Sequence, residues 1–322
     1  MHGVAQYMAQ ELGLQPQHGY EIVRATDEPR VIVLRLLVNP RHHRKIASMA
    51  DEMSAAAGLA GEHTIRVRRG DQGLLLLEVP KPEALQFSIG VRDLPHRSSG
   101  LWVPVGYDTM RRTSALNFED SLRSHVLIAG TTGSGKTNSQ QVIAWSLAVR
   151  NRPEQLGLIV IDTVKRGRQW GRFEGAASLL HPVIVEDNEA VRVLAWARRE
   201  LEERRQAPSV PSSGSRGTAA GQAGRTSPKV FLFVDELAST LELGEAALGP
   251  VRALVTIGRE YGMHLIAATQ YPSASAMGDP VIKRQLSVRL VGRVDDANAA
   301  YIATGQKDSG AERLIGAGDS VL

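Results

Sequence analysis

The sequence predicts an α/β chain with a mainly parallel sheet, preceded by a small α+β domain. Three observations carry that expectation. From residue 101 onward, short fully apolar runs alternate with helix-forming stretches, the pattern of parallel strands covered by helices on both faces. One run, VLIA at 126–129, passes through a glycine-rich segment directly into a helix-forming stretch. Another, VFLFV at 230–234, ends in two adjacent acids, Asp235 and Glu236.

At 322 residues the chain is long enough for about two domains with self-sufficient cores. The expected division is a small α+β N-terminal domain at 1–98 and a larger unit at 99–322, with a linker around 95–100 and a flexible loop at 206–229 rich in Gly, Ser, Ala and Pro. With no cysteine, disulfides, thiolate metal sites and cysteine nucleophiles are excluded. No apolar run approaches the ~20 residues that span a bilayer, and no signal-peptide pattern opens the chain, so a cytoplasmic protein without a membrane segment is expected. The formal charge of +4 permits a polyanionic partner without demanding one. Arginine outnumbers lysine in a chain rich in alanine and glycine, a bias that fits GC-rich coding better than selection for phosphate contacts.

Taken in order, residues 1–29 are polar, with one short helix near 4–12. VIVLRLLV at 31–38 reads as a buried strand closed by Asn39 and Pro40. The basic cluster RHHRK at 41–45 opens a helix running to about Ala57, and reads as a solvated helix start rather than a phosphate or DNA patch. His42 and His43 make no metal site, since adjacent helical residues point ~100° apart and no carboxylate is placed with them. Residues 64–68 and 74–79 suggest two strands around the turn Gly70-Asp71-Gln72-Gly73. Beyond residue 101 the expected order is a strand at 126–129, a helix at 136–149, strands at 156–162 and 182–185, and an amphipathic helix at 188–205. A strand at 230–234, a helix at 245–261, strands at 264–269 and 287–291, a helix at 297–303 and a turn at 316–319 complete the pattern.

The segment after the first of these strands, GTTGSGKT at 130–137, satisfies the phosphate-cradling pattern G-x-x-x-x-G-K-[ST]. Its members Gly130, Thr131, Thr132, Gly133, Ser134, Gly135, Lys136 and Thr137 would wrap a triphosphate. The three glycines let backbone N–H groups turn toward the β-phosphate, and the following helix adds its positive end. Lys136 would reach the β and γ oxygens, and Thr137 would offer its hydroxyl to Mg²⁺. Asp235 and Glu236 arrive at the carboxyl end of an apolar strand, where ligands of such sheets sit. Asp235 would hold the metal and Glu236 would polarise the attacking water. Gln270, ending the next apolar strand, can donate to the γ-phosphate and accept from water. A nucleoside triphosphate and Mg²⁺ are therefore the expected ligands of this segment. Arg166, Arg168 and Arg172 follow a strand end as candidate DNA contacts, with exposed salt-bridged arginines the simpler reading.

The order of signals adds a resemblance. HVLIAGTTGSGKT, LIVID, PVIVEDNEAVRVLAWARRELEERR, VFLFVDELA, GREYGMHLIAATQYPS and GAERLIGAGDSVL together resemble the motor region of the FtsK/SpoIIIE DNA translocases, in the wider FtsK-HerA group, from about residue 46 onward. The GMHLIAATQ and GAGDSVL segments are more diagnostic than the phosphate loop. The resemblance implies a RecA-like P-loop motor that assembles as a ring, usually a hexamer, around double-stranded DNA and drives it with ATP. It implies the phosphate and metal roles of Lys136, Thr137 and Asp235, the catalytic role of Glu236 and the sensor role of Gln270. It matches Arg259 to an arginine that completes the neighbouring subunit's site, ahead of Arg289 and Arg293.

Three departures qualify the resemblance. Asp162 is followed by Thr163 and Val164 where the family has proline, which puts Lys165 out of register. Tyr271 and Pro272 replace the usual arginine and proline after the sensor. No membrane anchor or winged-helix domain is read in the sequence, so DNA transfer or segregation of a mobile element fits better than a tethered chromosome pump. The alternative is an FtsK-like protein-export ATPase. Lys136, Glu236 and Gln270 together argue against a non-hydrolysing switch.

Overall fold

The computed structural model describes residues 2–15, 18–59, 64–95, 100–109, 111–120, 124–207, 227–270, 279–316 and 318–322. The loop expected at 206–229 lies outside them over 208–226, as do linker residues 96–99 and the departures at Tyr271 and Pro272.

Helix α1 (His2–Leu12) is followed by strands β1 (Tyr20–Asp27) and β2 (Val31–Val38), helices α2 (His43–Ser48) and α3 (Ala50–Ala56), and strands β3 (Arg66–Arg69) and β4 (Leu75–Pro80). The strands form an antiparallel sheet in the order β1-β2-β4-β3. On one face Leu34, Leu36, Leu75 and Leu77 meet Val4, Met8, Ile46 and Met53 from the helices. The opposite face is charged yet covered: Arg66 and Glu78 are buried and paired at 3.4 Å, and Arg66 also donates to the carbonyl of Ser309 at 3.0 Å. The expected continuous helix from 41 breaks at Met49, whose ψ of 17° leaves the helical region. Strand β1 was not expected from the sequence. It is an edge strand with only Tyr20 and Thr26 buried, so no buried face imposed an alternating pattern on it.

Next comes a hairpin of β5 (Trp102–Tyr107) and β6 (Thr113–Asn117), also not expected, whose Val103 and Leu116 pack with Ile143 and Leu147. Then the alternation begins: β7 (Val126–Ala129), α4 (Lys136–Ala148), β8 (Leu156–Ile161), α5 (Asp187–Gln206), β9 (Lys229–Val234), α6 (Leu237–Leu241), α7 (Glu245–Ile257), β10 (Met263–Thr269), α8 (Pro280–Gln285), β11 (Val288–Val291) and α9 (Ala297–Thr304). Five strands pair in parallel in the order β11-β7-β10-β9-β8. Successive side chains point to opposite faces. Leu127, Ile159, Leu232 and Leu265 therefore join the layer of α5 and α7, while Ile128, Leu158, Phe231 and Ile266 join that of α4 and the hairpin. Both faces are dry, which is why these strands read as unbroken apolar runs.

The strand expected at 182–185 does not form. Ile184 makes a single bridge to Ile161, because Pro182 has no N–H for a ladder and the apolar run is short. The chain's last residues return to the sheet, where Val321 bridges Val291 with both N–H···O distances at 2.8 Å.

Candidate functional site

The glycine-rich loop leaves β7 at the carboxyl edge of the sheet, next to both neighbours β10 and β11. Gly130, Gly133 and Gly135 have φ of 147°, 81° and 99°, a region that disfavours any side chain. At Gly130 space adds a second demand, since a Cβ would lie 2.6 Å from Ser134 Oγ. The loop is tied from outside: Thr131 donates to the Arg293 carbonyl through its N–H at 2.8 Å and through its hydroxyl at 3.2 Å. Gly318 N–H donates to the Ser134 carbonyl at 2.9 Å, so the C-terminal GAGDSVL segment braces the loop. Helix α4 starts at Lys136, and the first-turn N–H groups of such a helix form an anion site. Lys136 Nζ curls over the loop, donating to the carbonyls of Gly130 at 2.7 Å and Thr131 at 3.0 Å. Burial pulls its pKa below the ordinary lysine value, Glu236 opposes that shift, Lys165 adds to it and Asp235 opposes it. Gln140 locks α4 onto the sheet by donating to the carbonyls of Val234 at 2.9 Å and Ile266 at 3.1 Å.

Strand β9 brings its acids to this loop. Thr137 Oγ1 donates to Asp235 Oδ1 at 2.7 Å across 98 positions of sequence, with both residues buried. A hydroxyl and a carboxylate converging at a helix start form the oxygen donor set that suits a hard divalent cation such as Mg²⁺. A cation is already drawn to that point: the Lys165 ammonium lies 2.9 Å from Thr137 Oγ1 and 2.6 Å from Asp235 Oδ2. Glu236 is oriented from β10, accepting from Thr269 Oγ1 at 2.7 Å and from the Gln270 N–H at 3.2 Å. Gln270 Oε1 accepts from Thr132 Oγ1 at 3.0 Å, so the amide touches the loop tip. The result is an open cleft of about 770 Å³ whose walls include Thr132, Lys136, Thr137, Lys165 and Gln270.

Residues 130–137, Asp235, Glu236 and Gln270 are thus brought together. Arg259 is not. It lies in the 3-10 turn Gly258–Tyr261 before β10, where its charge bears on His125 at the start of β7. Gln270 follows the other end of that seven-residue strand, roughly 20 Å away at ~3.3 Å per residue.

Lys165 corrects an expectation. The loop after β8, with Thr163 and Val164 after Asp162, carries the Lys165 ammonium into the site beside Thr137 and Asp235. Asp162 shapes it, with Oδ1 accepting from Lys165 N–H at 2.9 Å and Oδ2 from Gly167 N–H at 3.1 Å, around left-handed φ of 52° and 69° at Arg166 and Gly167. Its burial raises the Asp162 pKa, against the pull of that Lys165 N–H. The lysine's presence three residues past the β8 acid was the one signal available in the sequence. The neighbouring arginines also separate: Arg166 pairs with Glu186 at 3.1 Å, while Arg168 and Arg172 line the same cleft as Lys136. Among the described residues there is no cluster of three or more His, Cys, Asp or Glu that could hold a metal, and no helix is long and apolar enough to cross a membrane.

Comparison with known proteins supplies the wider setting. The FtsK/SpoIIIE family model matches residues 88–234. DNA translocase FtsK of Leptospira interrogans is 27% identical over 321 residues, covering 94% of this chain and 33% of that protein. DNA translocase FtsK of Helicobacter pylori strain J99 is 32% identical over 289 residues, covering 86% and 33%. The chain spans about a third of the length of the curated relatives it matches. In fold it is similar to the pCW3 conjugation coupling protein TcpA in its monomer form with ATPγS, at a TM-score of 0.57 and 17% identity over 97% of this chain and 88% of that one. It is also similar to the cytoplasmic domain of the Type VII secretion ATPase EccC of Thermomonospora curvata, at 0.54 and 22% over 70% and 28%. What it shares with these two structures is the fold.

Proposed function

Because this chain carries an FtsK/SpoIIIE-type motor region, we propose that it is an ATP-hydrolysing translocase of double-stranded DNA that works as a ring, with a hexamer the expected form. The observation that carries the reading is the 2.7 Å contact between Thr137 and Asp235 with Glu236 and Gln270 beside it, two halves of a triphosphate site joined from distant parts of the sequence. The reading assigns residues 1–98 to a small domain outside the motor and 99–322 to the motor itself.

Lys136 and the loop N–H groups bind the β and γ oxygens, exchanging two carbonyl partners for phosphate. Thr137 and Asp235 would hold Mg²⁺, which would supply positive charge against the triphosphate. Glu236, oriented by Thr269 and the Gln270 N–H, accepts the proton of the attacking water. Gln270 links γ-phosphate occupancy to the loop tip through Thr132. Arg259 acts on a neighbouring subunit's triphosphate, since its own site is a strand length away. DNA is held mainly through phosphates, as a motor indifferent to sequence requires. Transfer or segregation of a mobile element or chromosome is the process this activity would serve.

The test is steady-state ATPase with and without long double-stranded DNA. Turnover rises with DNA, and Glu236→Gln keeps Mg·ATPγS binding while turnover falls ~10²–10⁴-fold. Turnover indifferent to DNA but raised by a polypeptide substrate would replace this reading with the export ATPase.

A further inference from the structure

We propose that Lys165 is a tethered cation that occupies the divalent-metal seat of the nucleotide-free protein and must be displaced for Mg²⁺ to enter. The inference rests on the nucleotide-site reading above. Its ground is geometric. The two oxygens that would hold the metal, Thr137 Oγ1 and an oxygen of the Asp235 carboxylate, are both in hydrogen-bond contact with one ammonium group, at 2.9 and 2.6 Å. Asp235 is buried to 1% side-chain exposure, and an unpaired carboxylate there would be costly. Lys165 supplies the missing charge from a side chain that is still 34% exposed on the cleft side, so it has room to leave.

The loop is built to hold this arrangement. Asp162 fixes the backbone of Lys165 and Gly167, and Arg166 Nη2 anchors the outer side on Glu186 at 3.1 Å. The ammonium is therefore presented by an ordered turn rather than by a loose chain. Lys165 and a metal ion cannot share one position, so they bind in competition. The apoprotein then has little affinity for free divalent ions, and the metal enters with the triphosphate, whose negative charge offers the released ammonium a new partner in the same cleft.

Mn²⁺ titration of the nucleotide-free full chain, followed by electron paramagnetic resonance, tests this without any turnover. Lys165→Met is expected to bind Mn²⁺ about tenfold more tightly than wild type, the order of one charge-assisted contact removed. Lys165→Arg, which keeps the charge, stays near wild type, and Asp235→Ala added to Lys165→Met abolishes the gain. Equal Mn²⁺ affinity in wild type and a folded Lys165→Met would overturn the inference, as would tight binding that survives Asp235→Ala. Mg·ATPγS binding to wild type is measured alongside. Its absence defeats the nucleotide site itself, whereas its presence with unchanged Mn²⁺ affinity defeats only the role of Lys165.

Discussion

The two ends of the five-stranded sheet are made from the same apolar strands and could hardly differ more. At the carboxyl end the strands deliver Asp235, Glu236 and Gln270 to an open cleft that also receives Lys136 and Lys165. At the amino end lie two buried histidines, His125 just before β7 and His264 near the start of β10, and aromatic rings pack on His264. His264 stacks on Phe231 with centroids 4.6 Å apart and planes at 14°, and Phe118 closes edge-on at 5.6 Å. His264 Nδ1 pairs with the Ser124 carbonyl at 2.9 Å, and His125 Nδ1 accepts from the Leu265 N–H at 3.0 Å. Burial, with smaller contributions from His264 and Arg259, pushes His125 down to about 3. Burial, against the Ser124 carbonyl and aided by Lys229, pushes His264 down to about 4. One end thus concentrates charged side chains in a cleft, while the other buries two neutral rings beneath the charges of Arg259 and Lys229. Parallel connection explains the asymmetry, because helices that follow strands begin at the carboxyl end and bring their N–H groups and positive poles there.

The contrast is broken most directly at the charged end. Lys136→Ala removes a side chain that covers the loop and would reach the phosphates, and ATPase is expected to fall at least ~10²-fold with Mg·ATPγS affinity lost in parallel, read by calorimetry. Retained affinity would mean that the cleft is not held together by phosphate contacts.

Arg259 probes whether the amino end serves a second subunit. Arg259→Ala and Lys136→Ala proteins, each inactive alone, should regain up to about a quarter of wild-type turnover when mixed, as expected where a complete site needs one residue from each of two chains. Native mass measurement must find mixed rings in that sample. Mixed rings without any recovery would return Arg259 to its own chain.

The smallest effect concerns stability. Both histidine pKa values lie below the ordinary 6.5, so between that value and about 3 to 4 the unfolded chain binds more protons than the folded one. Stability from the neutral pair is complete above about pH 6.5 and is lost as pH falls toward those folded-state values, by ~2 kcal/mol per ring on reaching pH 5. Urea unfolding at pH 7.5 and pH 5 should reveal the loss, and His264→Phe should reduce its pH dependence while leaving Mg·ATPγS affinity unchanged. An unaltered slope would move the acid sensitivity to other groups.

Legibility followed burial and locality. The parallel strands were readable because both their faces are dry, and the phosphate loop because its glycines, lysine and threonine fall within eight residues and each glycine meets a local backbone demand. Edge strand β1 was not, since it buries only Tyr20 and Thr26, leaving Ile22 and Val23 exposed with no alternating pattern. The hairpin of β5 and β6 was missed, its register interrupted by an irregularity between Pro104 and Gly106.

By itself, then, the sequence determined the layered α/β character, the loop at 130–137 and the acids of β9, all properties carried by neighbouring residues. Only the tertiary structure decided that Lys165 meets Thr137 and Asp235, that the C-terminal segment braces Ser134, and that Arg259 sits at the far end from Gln270. Those facts depend on strand order and on the path of turns between strands. A difference of one residue in a turn redirects a side chain, and no local pattern records which way it goes.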